Sequence, residues 1–211
     1  IRDDLVTGVQ TCALPIFLQF LEMAIRNGGN ARQLEFLKRL MVAAHAAEVE
    51  LHLYFSPFHA RFAEAMSAAG LWTEFENLKR EVVRLNEQSA TDSGRQPYPV
   101  WDFSGYNTVN TEPVPRRGDT RTRMEYYVDG THSTPVTGDL IQDTLFGTTT
   151  GSIGPLDDFG VALTSANLEQ VLEQHRRGQA DYRADHREEF DEIQALRSEE
   201  HTSELQSPDH L

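Results

Sequence analysis

A carboxylate and an imidazole three residues apart, in Asp129-Gly130-Thr131-His132, are the residues of this chain best suited to acid–base chemistry. A neutral imidazole can take a proton from a serine hydroxyl if a partner fixes its tautomer and stabilises the imidazolium that forms. A carboxylate three positions earlier in a tight turn can fill that role, and Gly130 gives the turn its freedom. In that arrangement His132 would be a general base and Asp129 its orienter.

Other residues stand where a substrate could meet them. His59 follows an expected strand over 49–55 and could line a pocket or bind substrate, or simply open the next helix. Asn107 and Asn110 lie in an irregular stretch over 104–123 and could donate to an oxyanion or contact substrate; turn formation is the alternative for both. Ser56 ends the same strand as a rival nucleophile, but Pro57 withholds the backbone N–H that serine hydrolases often use in the oxyanion hole. Arg116, Arg117, Arg121 and Arg123 make a local basic patch, either a solvated loop or a contact for an anionic group.

The elements that must position these groups follow from periodicity. Leu34, Leu37, Leu40, Met41 and Ala44 recur at helical spacing, which predicts a helix over 31–47. Residues 49–55 alternate and are β-rich, which predicts a strand. Helices are expected over 58–69, with Gly70 as C-terminal cap, and over 72–88, followed by a polar loop over 89–97. Residues 99–103 and 124–128 read as two more strands. Thr134 and Pro135 then start a helix as cap and first helical residue. After a loop over 147–160, Thr164 is expected to cap a last helix from about 165 toward 193, its charged end a solvated arm. Strands alternating with helices predict an α/β fold, three layers α/β/α around a mostly parallel sheet. In such sheets sites collect at the carboxyl ends of strands, where Asp129 and His132 would then fall.

Composition narrows the partners. The 211 residues carry a formal net charge of −14, whereas a general nucleic-acid binder needs a basic footprint. Cys12 is the single cysteine, so neither a disulfide within the chain nor a cysteine-built zinc site is possible. A metal site from His52, His59, Asp129 and His132 lacks the i,i+4 spacing of zinc proteases, and the expectation is no metal and no cofactor. No apolar run approaches the ~18–20 residues of a membrane span.

The block Val128-Asp129-Gly130-Thr131-His132-Ser133-Thr134-Pro135, followed by Gly138, Leu140 and Ile141, resembles the last sequence block of the SGNH (GDSL-like) hydrolases. In that family an Asp-x-x-His lies between the last core strand and the last core helix. The resemblance extends more loosely over 51–55, 101–115 and 159–172, toward uncharacterised bacterial members. It implies a serine-dependent ester hydrolase or O-acyltransferase acting on acyl esters, with carbohydrate as a candidate partner, His132 as base and Asp129 as orienter. Some members modify cell-envelope polymers, which is compatible with an extracytoplasmic site that the residues themselves do not fix. The departure is large: the family's nucleophile lies in a Gly-Asp-Ser segment, which does not occur here, and Gly118-Asp119-Thr120 is a near miss in a loop. The competing reading is a non-enzymatic α/β interaction or structural module, with amphipathic helices over 31–47 and 72–88 and an acidic last helix to dock a partner.

The two ends read differently from the rest. Residues 6–16 and 197–207 resemble translations of the two strands of a sequencing-library adapter. Residues 1–16 and 197–211 are therefore expected to carry no functional information. The informative part would be the C-terminal portion of an SGNH-like domain over 17–164, incomplete at its N-terminus, with a helical extension over 165–196. The nucleophile would lie on missing upstream sequence, leaving this segment inactive alone.

Overall fold

The computed structural model describes residues 29–115, 119, 121–149, 151 and 153–204. Residues 17–25, apolar at 17, 18, 20, 21 and 25 and so read as the end of a helix, lie outside the described residues, as do the head segment 1–16 and Arg116, Arg117, Gly118 and Thr120.

Helix α1 (Gly29–Ala46) turns Met41 and Ala44 inward, with Leu34 and Leu37 half-buried beside them. The helix already runs at Gly29, two residues before the expected start at 31. Its end closes with Val49 N–H on Ala44 O (2.9 Å) and Glu48 N–H on His45 O (3.4 Å), with Glu48 in the left-handed region at φ 56°. This closure explains why strand β1 is only Leu53–Phe55 rather than all of 49–55: the backbone at Val49 is committed to the helix end, and its carbonyl accepts from Tyr98 Oη.

Helix α2 (Ala60–Ala68) ends as expected on Gly70, with Leu71 N–H reaching Met66 O at 2.9 Å. Helix α3 (Trp72–Ser93) runs past residue 88 because Ser89 and Ala90 are buried on its inner face, and Gly94 in the left-handed conformation then stops it. Strand β2 (Val100–Asp102) pairs parallel with β1, Leu53 opposite Val100. Helix α4 (Pro135–Phe146) starts on Pro135 as predicted. The Thr134 hydroxyl, however, donates to Glu125 O (2.6 Å) instead of capping the helix. Strand β3 (Val161–Ala162), unforeseen in the 147–164 region, pairs antiparallel with β2.

The chain is thus a helix-rich α/β protein around a small three-stranded mixed sheet ordered β1-β2-β3. The expected strand over 124–128 does not join it. The Glu112 carboxylate takes the backbone N–H groups of Glu125 and Tyr126, the latter at 2.9 Å, and Val128 N–H goes to His132 O. With those donors taken, the segment forms one side of a tight hairpin, bridged only by Tyr127 opposite Ser133. Asp129 and His132 therefore crown a hairpin rather than the carboxyl end of a parallel strand.

The last helix is two: α5 (Leu168–Asp185) and α6 (Arg187–Glu204), broken at His186. Neither is a solvated arm. Leu168, Val171 and Leu172 of α5 pack with Val82, Val83, Val100 and Leu163, and Ile193 of α6 is buried with Ala65 and Ala68. The charges that suggested an arm face partners on the body: Arg176 with Glu76, Arg183 with Glu64, and Glu189 and Glu192 with Arg61. Among the described residues no helix is long and apolar enough to cross a membrane.

Candidate active site

The hairpin that carries Asp129 and His132 is closed by Val128 N–H on His132 O (2.8 Å) and Thr134 N–H on Tyr126 O (2.9 Å). Asp129 uses both carboxylate oxygens. Oδ1 accepts the main-chain N–H groups of Thr131 and His132, each at 2.8 Å, and Oδ2 lies 2.7 Å from His132 Nδ1. Burial pushes the Asp129 carboxyl up, but the N–H groups of Thr131 and His132 and the imidazole outweigh it, leaving the group below the usual carboxylate range. An ionised carboxylate only accepts, so Nδ1 of His132 carries the proton and the lone pair of the neutral ring sits on Nε2. No hydrogen bond within the described residues engages Nε2. The His132 side chain is 77% exposed and Asp129 40%. The pair faces solvent, and no wall of side chains among the described residues encloses it.

The three expected substrate contacts lie elsewhere. His59 is fully buried. Its Nε2 lies 2.8 Å from Glu112 O, and because a carbonyl only accepts, Nε2 carries the proton and Nδ1 accepts Arg61 N–H at 3.1 Å, capping α2. Burial pushes its pKa down to about 4, partly countered by the bond to Glu112, so the ring is neutral near pH 7. Asn110 is also fully buried. Its Nδ2 donates to Phe103 O and Gly105 O, both at 2.9 Å, and its Oδ1 accepts from Tyr127 Oη. Asn107 is half-buried and holds a turn, with Oδ1 on Asn110 N–H and its carbonyl on Thr111. His59 and Asn110 touch the dyad hairpin from below: His59 N–H donates to Gly130 O at 3.0 Å, while Asn110 holds Tyr127 at the hairpin's foot.

Sequence reasoning missed a second polar cluster, under the end of β2. Lys79 Nζ lies 2.7 Å from Asp102 Oδ2, 2.7 Å from Ser104 Oγ and 3.4 Å from His175 Nδ1, so its three protons are all placed. The signal was present: Lys79 shares the α3 face of Phe75, Val82 and Asn86, where a lone cation needs a buried partner. Lys79 donates to the Ser104 hydroxyl, so it cannot act as that serine's base, and Ser104 is buried. The cluster braces the fold rather than offering a nucleophile.

A shallow cavity of about 240 Å³ is lined by His45, Glu48, Arg95 and Tyr98 and does not include the dyad. Among the described residues no group of three or more His, Cys, Asp or Glu side chains could hold a metal ion. Comparison with protein-family models, curated proteins and solved structures found no match. The functional reading therefore rests on the geometry of the site.

Proposed function

We propose that this chain carries the base half of an acyl-transfer site of the SGNH kind, in a three-layer α/β domain, with His132 as general base and Asp129 as its orienter. One observation carries the reading: the 2.7 Å contact between Asp129 Oδ2 and His132 Nδ1, in a turn whose Oδ1 bonds fix the carboxylate independently. It leaves Nε2 free to accept a proton from a serine hydroxyl and to return it to the leaving group. Gly-Asp-Ser does not occur in the 211 residues, so on this reading the pair serves a serine from outside them. The substrate class is an acyl ester, with water or a sugar hydroxyl as acceptor.

The test is turnover of short-chain p-nitrophenyl esters by the protein expressed from its full open reading frame. His132→Ala is expected to cut kcat by at least about a thousandfold, and Asp129→Asn by a comparable amount through the wrong tautomer. Turnover unchanged in His132→Ala rejects the assignment.

The second reading, an interaction module, has its own support. Phe36 and Leu40 stand 69% and 42% exposed on the outer face of α1, and Tyr54 is 48% exposed on β1, at the end of the sheet order. Full binding of a partner by a His132→Ala protein that never turned over ester would favour it.

A further inference from the structure

We propose that Asn110, which is sealed from any substrate, is a positioning residue for the Asp129–His132 pair and acts through Tyr127. The inference rests on the reading of that pair as a functional dyad.

Asn110 is a junction. Its two amide protons fix the carbonyls of Phe103 and Gly105, just past the end of β2. Its amide oxygen accepts Tyr127 Oη at 2.5 Å, and its main-chain carbonyl accepts Ala60 N–H at 2.7 Å. Two of the hairpin's grips pass through these contacts, beside those that Glu112 and Thr137 make on Glu125 and Tyr126. Tyr127 stands opposite Ser133 at the foot of the turn, with its ring packed among Phe103, Val109, Leu140 and Phe159. His59, next to Ala60, holds the turn's crest through Gly130 O. Above it, the His132 side chain is largely open to water and Asp129 is half-buried. Their geometry depends on the turn, because Asp129 Oδ1 is held by the N–H groups of Thr131 and His132 and by the Thr131 hydroxyl, all within that turn. Asn110 thus ties the foot of the turn to the sheet through its side chain and borders the crest through its main-chain carbonyl; with the Tyr127 bond lost, the foot keeps only its neighbours' bonds at Tyr126, and the Asp129–His132 contact loosens.

The test reads the His132 tautomer in the full chain by histidine ¹⁵N NMR, at a pH where the ring is neutral. Asn110→Ala would empty a fully buried junction, so Tyr127→Phe, which removes one hydroxyl, carries the test. Val82→Ala, in the separate core cluster between α3 and α5, controls for lost stability. In Tyr127→Phe the ratio of Nδ1–H to Nε2–H forms is expected to fall about three- to tenfold, the span that one lost hydrogen bond commands. Val82→Ala is expected to leave the ratio unchanged. A Tyr127→Phe ratio equal to wild type, or an equal fall in Val82→Ala, overturns the positioning role while the dyad stands. A ratio that Asp129→Asn does not change overturns the dyad itself and the proposal with it.

Discussion

Lys79 and Asp102 form an ion pair at 2.7 Å with side chains 1% and 0% exposed, joining α3 to the end of β2. Burial alone would push the Asp102 carboxyl up. The Lys79 ammonium, with smaller help from His175 and the Ser104 bond, reverses this and holds it below the usual range. Removing one partner strands the other charge in the interior. Lys79→Met is expected to cost about 3–5 kcal/mol in urea unfolding, far more than a surface lysine. A loss below about 1 kcal/mol would show that water reaches the pair.

Acid sensitivity should come in two stages. Burial pushes His59 and His175 each down to about 4, aided at His175 by the Lys79 charge. The unfolded chain binds those protons near 6.5, so stability is full above that pH and is lost as pH falls toward 4, by up to about 3 kcal/mol per histidine. Asp102, with its pKa lowered, adds a loss only below the ordinary carboxyl range. Urea unfolding at pH 7.5, 5.5 and 4.2 checks the first stage. His175→Gln should roughly halve the decline, and an undiminished slope would remove His175 from it.

Glu48 sits at φ 56°, the position after α1 that glycine usually takes. Its side chain makes an exposed ion pair with Arg95 at 2.7 Å, a contact of little net worth. Glu48→Gly is therefore expected to leave the thermal midpoint unchanged or raise it by up to about 1 kcal/mol of stability. Glu48→Val, β-branched in the same conformation, should lower it. A lower midpoint for the glycine variant would mean that the Arg95 pair matters more than the backbone.

Gly178 tests packing against propensity. In the middle of α5, alanine should favour the helix by about 1 kcal/mol. A Cβ there, however, would stand 2.8 Å from Tyr106 Cβ, an atom close to the backbone that cannot swing away. Gly178→Ala is expected to destabilise despite its better propensity, as thermal unfolding would record. A stabilised variant would mean that α5 and the Tyr106 loop can separate at little cost.

The helices were legible because their apolar spacing is local information: 31–47, 58–69 and the start at Pro135 all correspond to helices within a few residues. The strands were harder. Residues 124–128 have strand-like composition, yet their N–H groups are claimed by Glu112 and by the hairpin, and neither partner is visible in a local pattern. The two-residue β3 carries no periodicity at all. The last helices were misjudged for a related reason, since charge alone does not show that Glu64 and Glu76 wait on other helices for Arg183 and Arg176. At the site, spacing found the Asp129–His132 contact because it is local. His59 and Asn110 looked reactive by type and position, but their burial depends on contacts from distant segments.

The central claim is that Asp129 holds His132 with its Nε2 lone pair free, and diethyl pyrocarbonate labelling at pH 8, above the ordinary imidazole range, tests it most directly. Site-resolved mass spectrometry should show His132 labelled on Nε2 well before the buried His45 and His59, with the rate falling several-fold in Asp129→Asn while His52 and His186 are unchanged. Equal His132 rates in wild type and Asp129→Asn, or labelling on Nδ1, would contradict the claim.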